Sequence, residues 1–289
     1  MIIPLAVRQT SRPMRLILYL AAGLVFVAGL QLFVFSEQTD IYFSWTIKPF
    51  LTAAFLGAGY WSSVLLEFMA AREKVWARSR IAVIPVLTFT TLTLIATLLH
   101  LDKFHLDATE FAPITIAATW AWMAIYGLVP PLMFGILIYQ LRKPGTDEPR
   151  TALMPNWLAI VLGVEGGVML LLGVLLFFAK EIFPATFVDA NNIQLLPFWS
   201  WTLTPLTARA VGAWLLGLGL TSISASFERD FARVRIMHLS ALLFCILQFM
   251  ALARYGVDMT WDVRAWGYVL FLISILGANL YGIWAGQKP

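Results

Sequence analysis

Two ionisable residues stand inside long apolar stretches, where an isolated charge is costly. Glu165 lies ten residues after Pro155, and Arg209 lies eight residues after Trp201. If both stretches are helices that cross a bilayer, these separations correspond to depths of about 15 Å and about 12 Å from opposite membrane surfaces. Opposite charges at similar depth on consecutive spans suggest a pair that either binds a ligand or pins two helices together. We therefore treat Glu165 and Arg209 as candidate ligand-binding residues, with a structural ion pair as the alternative.

Other polar and aromatic side chains at membrane depth could complete a binding site. The further candidates for ligand binding are Trp122, Tyr126, Gln248 and Tyr268. Together they could line a cavity inside a helical bundle. The alternative is ordinary hydrogen bonding between helices, which every membrane bundle uses.

A short polar segment follows the third apolar stretch and holds three weak candidates for a metal site, His100, Asp102 and His105. Imidazole and carboxylate groups are ligands that divalent ions accept. Such residues are also common wherever a chain faces water. We therefore expect no metal site here.

The motifs of several enzyme classes are missing from the sequence. There is no glycine-rich phosphate loop, no nucleophile-elbow serine and no His-Glu-x-x-His zinc motif. The single cysteine, Cys245, excludes an internal disulfide and a thiolate metal cluster built by this chain alone. These absences favour a non-enzymatic protein, and we expect no cofactor and no nucleic-acid partner.

The composition is that of a protein embedded in a lipid bilayer. Of the 289 residues, 60% are hydrophobic and only 12% are charged, whereas soluble domains carry roughly 25% charged residues. The apolar residues come in blocks near the roughly 20 residues that a helix needs to cross a bilayer. Hydrocarbon offers backbone groups no partner, so each block must be a helix. We predict an all-α polytopic membrane protein with eight transmembrane helices, approximately at 14–35, 47–70, 81–100, 112–140, 155–179, 203–226, 236–254 and 263–286.

Basic residues collect at alternate ends of these segments, for example Arg72, Lys74, Arg78 and Arg80 between the second and the third. By the positive-inside rule, both termini are predicted to be cytoplasmic, in a cell inner (plasma) membrane. Acidic residues collect at the other ends. Four tryptophans there are expected to anchor helix ends in an interfacial belt: Trp45, Trp199, Trp201 and Trp261.

The sequence also repeats itself. Residues 73–81 match residues 228–236 at an offset of 155, and residues 44–49 match residues 200–205 at an offset of 156. Four spans per unit return the chain to its starting side, so the units would be parallel repeats related by an axis along the membrane normal. The predicted division is a first repeat at 1–140, a cytoplasmic linker at 141–154 and a second repeat at 155–289. The repeated basic motif either anchors the topology or docks a partner or an anionic lipid.

Architecture and candidate residues lead to two functional hypotheses. The first is transport or binding of a small or amphipathic ligand within the bilayer, because parallel-repeat transporters place their sites between repeats near the midplane. The alternative is a non-catalytic subunit that scaffolds a larger membrane complex with partner proteins. Either hypothesis rests on the site and not on the fold.

Overall fold

A computed structural model describes residues 6–187 and 195–287 of the chain. In these residues the chain is helical, without strands, and eight of its helices are long and apolar enough to span a membrane, which confirms the predicted number. We name them α1 (Arg12–Gly29, continued by a π-helical turn at Leu30–Val34), α2 (Phe50–Arg72), α3 (Trp76–Leu99), α4 (Pro113–Leu141), α5 (Asn156–Phe177), α6 (Pro205–Glu228), α7 (Phe231–Tyr255) and α8 (Val263–Ala285).

Helices α3 and α7 begin earlier than hydropathy predicts, at Trp76 and Phe231 instead of residues 81 and 236. Both first residues are aromatic and buried. At α7 the Asp230 side chain caps the helix by accepting from the main-chain N–H groups of Ala232 and Arg233. The arginines of the repeated motif therefore lie in the first turns of helices. A hydropathy window cannot detect a helical turn that carries charges.

Glycines bring two pairs of consecutive helices into main-chain contact. A Cβ atom at Gly212 of α6 would lie 2.7 Å from the Phe177 main-chain nitrogen of α5. A Cβ atom at Gly57 of α2 would lie 2.5 Å from the Phe33 main-chain nitrogen, just beyond α1. Small residues allow this approach, and close packing of backbones is a main source of helix association in membranes. Helices α1 and α2 therefore form one tight pair, and α5 and α6 form another.

We call the end of the bundle that carries the acidic residues the acidic face. The segments that precede α2 and α6 fold inwards there and cover the helix ends. Trp45 packs edge-on against Trp122 of α4, and the Trp201 indole N–H donates to Thr52 Oγ1 of α2 at 3.0 Å. Trp45, Trp199 and Trp201 are all buried. The prediction that they form an interfacial belt is therefore wrong for these three. The segments that carry them turn back over the helix ends, which no sequence window could show.

The opposite end, here called the basic face, carries the repeated motif and the segment between α4 and α5. Arg78 pairs with Glu148 at 2.7 Å, and Arg80 pairs with Asp147 at 2.6 Å. Arg80 and Arg233 both also reach Glu228, at 2.5 and 2.9 Å. Ion pairs thus bind the predicted linker to arginines of the repeated motif, and these arginines have partners within the protein.

Main-chain hydrogen bonds on the basic face occur in two matching sets. In the first set, Thr10 N–H donates to Lys74 O at 2.7 Å and Trp76 N–H donates to Arg8 O at 3.0 Å. In the second set, Met154 N–H donates to Arg229 O at 3.0 Å and Phe231 N–H donates to Ala152 O at 2.7 Å. Ala152 and Met154 follow Arg8 and Thr10 by 144 positions, and Arg229 and Phe231 follow Lys74 and Trp76 by 155 positions.

The acidic face repeats this correspondence. Ser44 O accepts from His105 N–H at 2.9 Å, and Ser200 O accepts from Thr260 N–H at 2.8 Å. Ser200 follows Ser44 by 156 positions and Thr260 follows His105 by 155. Residues at these offsets therefore make main-chain hydrogen bonds of the same kind at both ends of the bundle.

Candidate functional site

A cavity of about 210 Å³ lies inside the bundle, walled by side chains from α1, α2, α3, α4 and α6. Two residues proposed from the sequence, Trp122 and Tyr126, belong to its lining. For comparison, an engineered apolar cavity of about 150 Å³ is large enough to bind benzene. The space can therefore accept a molecule of at least the size of one aromatic ring.

Aromatic side chains form most of one wall. Trp122 and Tyr126 stand four residues apart on α4, which places them on one helix face, and their ring centroids are 4.2 Å apart. Trp214 of α6 packs against Tyr60 of α2 and Phe89 of α3, with centroids 5.0 and 4.0 Å away. The aromatic surface is therefore assembled from four helices.

The polar atoms of this wall are largely satisfied by each other. The hydroxyl groups of Tyr60 and Tyr126 are hydrogen-bonded at 2.6 Å, and the Trp122 indole N–H donates to Thr97 Oγ1 at 3.0 Å. These rings are thereby held in place. What remains for a bound molecule is mostly apolar ring surface.

The cavity contains a carboxylate that sequence reasoning missed. Glu67 of α2 is only 2% exposed, lines the cavity, and its Oε2 atom has no hydrogen-bond partner among the described residues. It stands five residues before the end of α2, about 8 Å from the basic end of that helix. That position resembles an interfacial glutamate. The available signal was the spacing of Tyr60, Ser63 and Glu67, which places three polar groups on one helix face.

One side of the cavity reaches the surface of the bundle between α1 and α4. Val27 of α1 belongs to the lining and is 52% exposed, and Ala121 of α4 is exposed as well. Both lie well inside helices long and apolar enough to span a membrane. The opening therefore faces sideways, where lipid would surround the bundle.

Glu165, the acidic candidate from the sequence, lies in a second and smaller cavity of about 50 Å³. It is 3% exposed and accepts a hydrogen bond from Ser274 Oγ of α8 at 2.7 Å. The two cavities share part of their walls, formed by four residues of the central helices α2 and α6: Ser63, Leu66, Leu218 and Thr221.

Arg209 does not pair with Glu165, so the suggested ion pair is wrong. Arg209 instead donates to Glu181 and, at 2.5 Å, to His100 Nε2. Helix α6 begins only at Pro205, so Arg209 lies about one turn from its end and not at the depth inferred from Trp201. Since α5 and α6 are in contact at Gly166–Gly219 and at Gly173–Gly212, Glu165 lies level with position 220, about 16 Å along the helix axis from Arg209.

His100 therefore belongs to an ion cluster on the acidic face. It follows α3 directly and is buried. Burial, together with the positive charge of Arg209, lowers the pKa of His100 to about 4. The imidazole is neutral at pH 7, so its Nε2 atom can accept the hydrogen bond from Arg209.

The other two weak metal candidates have separate partners. His105 contacts Phe43 O through Nδ1 at 3.0 Å and Thr46 Oγ1 through Nε2 at 3.1 Å, and burial lowers the pKa of His105. Asp102 is exposed and pairs with Lys103 at 3.1 Å. Within residues 6–187 and 195–287, no group of three or more His, Cys, Asp and Glu side chains is arranged to hold a metal ion.

Gln248 and Tyr268 bind helices together away from both cavities. The Tyr268 hydroxyl donates to Gln248 Oε1 at 3.0 Å, and Gln248 Nε2 donates to Phe55 O at 3.1 Å. This chain joins α8, α7 and α2. It is the interhelical hydrogen bonding given above as the alternative to a ligand site.

A scan against protein-family models and searches of the curated proteins and of the solved structures find no match to this chain. The cavity, its aromatic wall and its carboxylate are therefore the basis for a functional proposal.

Proposed function

We propose that this protein handles a small or amphipathic molecule within the bilayer, by binding or transport, and that the molecule occupies the aromatic cavity. The observation that carries the proposal is a space of about 210 Å³ that combines aromatic walls with one carboxylate whose Oε2 atom has no partner among the described residues. Protein interiors are otherwise packed as densely as organic crystals. Ligand sites are typically concave, mostly apolar and supplied with few polar groups, as this cavity is.

The sideways opening supports entry from the lipid phase. A molecule that passes between Val27 of α1 and Ala121 of α4 would not need to cross either polar face of the bundle. Amphipathic and lipophilic compounds concentrate in bilayers, so a lateral opening gives them a direct route.

We further propose the two-repeat architecture, with repeats at 1–140 and 155–289 joined by the 141–154 linker. The matched main-chain hydrogen bonds support it, and so does the correspondence between the linings of the two cavities. With the offset of 155, Glu67 of the larger cavity corresponds to Ser222, which lines the smaller cavity. With the offset of 144, Glu165 of the smaller cavity corresponds to Ala21, which lines the larger cavity. Each repeat would then hold one cavity beside a shared central wall.

For orientation, we propose a plasma-membrane protein with both termini in the cytoplasm. The support is the collection of arginines on the basic face together with the positive-inside rule.

A cavity-filling pair of variants tests the ligand site. Ala118 lines the cavity, whereas its neighbour Ala117 is exposed outside the lining. The probe is neopentylbenzene, a neutral aromatic hydrocarbon, titrated into the protein in phosphatidylcholine nanodiscs while tryptophan fluorescence is recorded. Trp122 and Trp214 both line the cavity and should respond.

We expect saturable binding to the wild type and to Ala117→Phe, and at least tenfold weaker binding to Ala118→Phe. The comparison between the two variants cancels unspecific partitioning of the probe into lipid. Equal responses from both variants would contradict the proposal. Stable co-purifying protein partners combined with no probe binding would instead favour the scaffolding subunit.

A further inference from the structure

We propose that the molecule taken by this cavity is a small organic cation, a protonated or quaternary amine, with Glu67 as its counter-ion. The inference rests on the proposed ligand-binding function and adds the charge of the ligand. It depends on the surroundings of one carboxylate and on the chemistry of the walls around it.

Among the described residues, Glu67 has no positively charged partner. None of the ion pairs among the described residues includes it. Arg15 of α1 approaches the same end of α2 but donates to the main-chain oxygen of Ala71 at 2.8 Å, one turn beyond Glu67. A lone ionised carboxylate away from water is strongly disfavoured. Glu67 therefore needs either a proton or a cation that the described residues do not supply.

The walls favour an organic cation over a metal ion. Calcium requires six to eight oxygen ligands and magnesium near-ideal octahedral coordination, whereas the cavity offers one carboxylate and few free hydroxyl groups. Thr90 Oγ1 already donates to Val86 O at 2.9 Å. The aromatic rings, by contrast, attract cations through their quadrupoles, and quaternary ammonium groups are commonly recognised by such rings.

The Tyr60–Tyr126 pair adds a polar contact beside the carboxylate. Tyr60, Tyr126 and Glu67 all line the same cavity. One hydrogen of the two hydroxyls is used in their mutual bond at 2.6 Å. The other remains available for a bound molecule.

Glu165 supplies a matched comparison. It is equally buried, but Ser274 donates to it and its cavity of about 50 Å³ is much smaller. If the charge of any buried carboxylate were sufficient, both would attract a cation. The inference assigns that role to Glu67 alone.

Two probes of the same shape test the charge of the ligand. Benzyltrimethylammonium is a quaternary amine, and neopentylbenzene is its neutral counterpart with carbon in place of nitrogen. Each is titrated at pH 7 into full-length protein in phosphatidylcholine nanodiscs, with tryptophan fluorescence as the readout. The proteins compared are the wild type, Glu67→Gln and Glu165→Gln, each first checked for unchanged thermal stability.

We expect the wild type to bind the cation at least tenfold more tightly than the neutral probe. Glu67→Gln should lose that preference, with neopentylbenzene binding changed by less than twofold, and Glu165→Gln should keep it. The wild-type ratio of the two affinities decides the matter even if Glu67→Gln proves unstable.

The inference is overturned if the wild type binds the neutral probe as tightly as the cation, which would mean that Glu67 carries a proton. It is also overturned if Glu67→Gln keeps the preference for the cation. In both cases the proposed ligand-binding function stands. Failure of the wild type to bind either probe would remove that function too.

Discussion

The contact between α5 and α6 at Gly212 allows a quantitative prediction for Gly212→Ala. The added Cβ atom would lie 2.7 Å from Phe177 N and 2.8 Å from Gly173 O, both main-chain atoms. Favourable contacts between heavy atoms need about 3.5 Å or more, so the two helices must separate by several tenths of an ångström. A main chain held by helical hydrogen bonds cannot give way as the end of a side chain can.

Overpacking of this kind costs about 1–3 kcal/mol. Alanine is favoured over glycine inside a helix by up to about 1 kcal/mol, which offsets part of the cost. The expected net effect of Gly212→Ala is therefore a loss of about 1–2 kcal/mol. Gly57→Ala should lose as much or more, since its Cβ atom would meet Phe33 N at 2.5 Å.

Gly167→Ala is the matched control, because a Cβ atom there meets nothing within 4 Å. It should be as stable as the wild type or slightly more stable. The assay is thermal unfolding in detergent, followed by size-exclusion chromatography of the remaining folded fraction. If Gly212→Ala were as stable as Gly167→Ala, the close approach of α5 and α6 would be refuted.

Three further predictions concern the two faces of the bundle. The pKa of His100 is lowered from 6.5 to about 4 in the folded protein, so the unfolded chain binds a proton at this histidine more readily. The free energy of unfolding should therefore fall as pH drops from 6.5 towards 4, by at most about 3 kcal/mol. Unfolding scans at pH 7 and pH 5 should show this loss in the wild type and a smaller one in His100→Asn; equal losses would contradict it. Glu181→Gln should lower the thermal stability, because it removes the carboxylate that pairs with buried Arg209. The double variant Glu181→Gln with Arg209→Leu should regain part of the loss. If the effects of the two single changes simply added in the double variant, the pair would be contradicted. Thr151→Cys should react with a membrane-impermeant maleimide only from the cytoplasmic side, since native Cys245 is buried and silent; labelling from outside would reverse the proposed orientation.

Much of the fold could be predicted from the sequence because the bilayer imposes simple rules. Hydrocarbon thickness sets the length of each span, and the lack of backbone partners in lipid enforces helices. The eight segments and their helical state follow from these two constraints alone. Trp122 and Tyr126, proposed from the sequence as aromatic side chains at membrane depth, both line the larger cavity.

The depth of an individual side chain in the membrane, and the neighbours that it faces, could not be predicted from the sequence. Arg209 seemed deep because the residues after Trp201 were taken as helix, yet α6 begins only at Pro205. Glu67 was not chosen as a candidate from the sequence, although it is buried against the cavity. The wrong depth of Arg209 and the omission of Glu67 have one source: a hydropathy pattern records where a helix is, but not where its first turn begins or which neighbour covers each face.

The sequence by itself determined the number of spans, their helical state and the separation of basic from acidic ends, since each depends on local composition measured against the bilayer. Only the tertiary structure decided that Glu181 and His100 are the partners of Arg209, and that Glu67 faces an aromatic cavity with no partner in residues 6–187 and 195–287. Those outcomes depend on how far each helix is shifted along its neighbour. Contacts between helices, such as Gly173–Gly212, fix that shift, and the sequence of one helix alone does not reveal it.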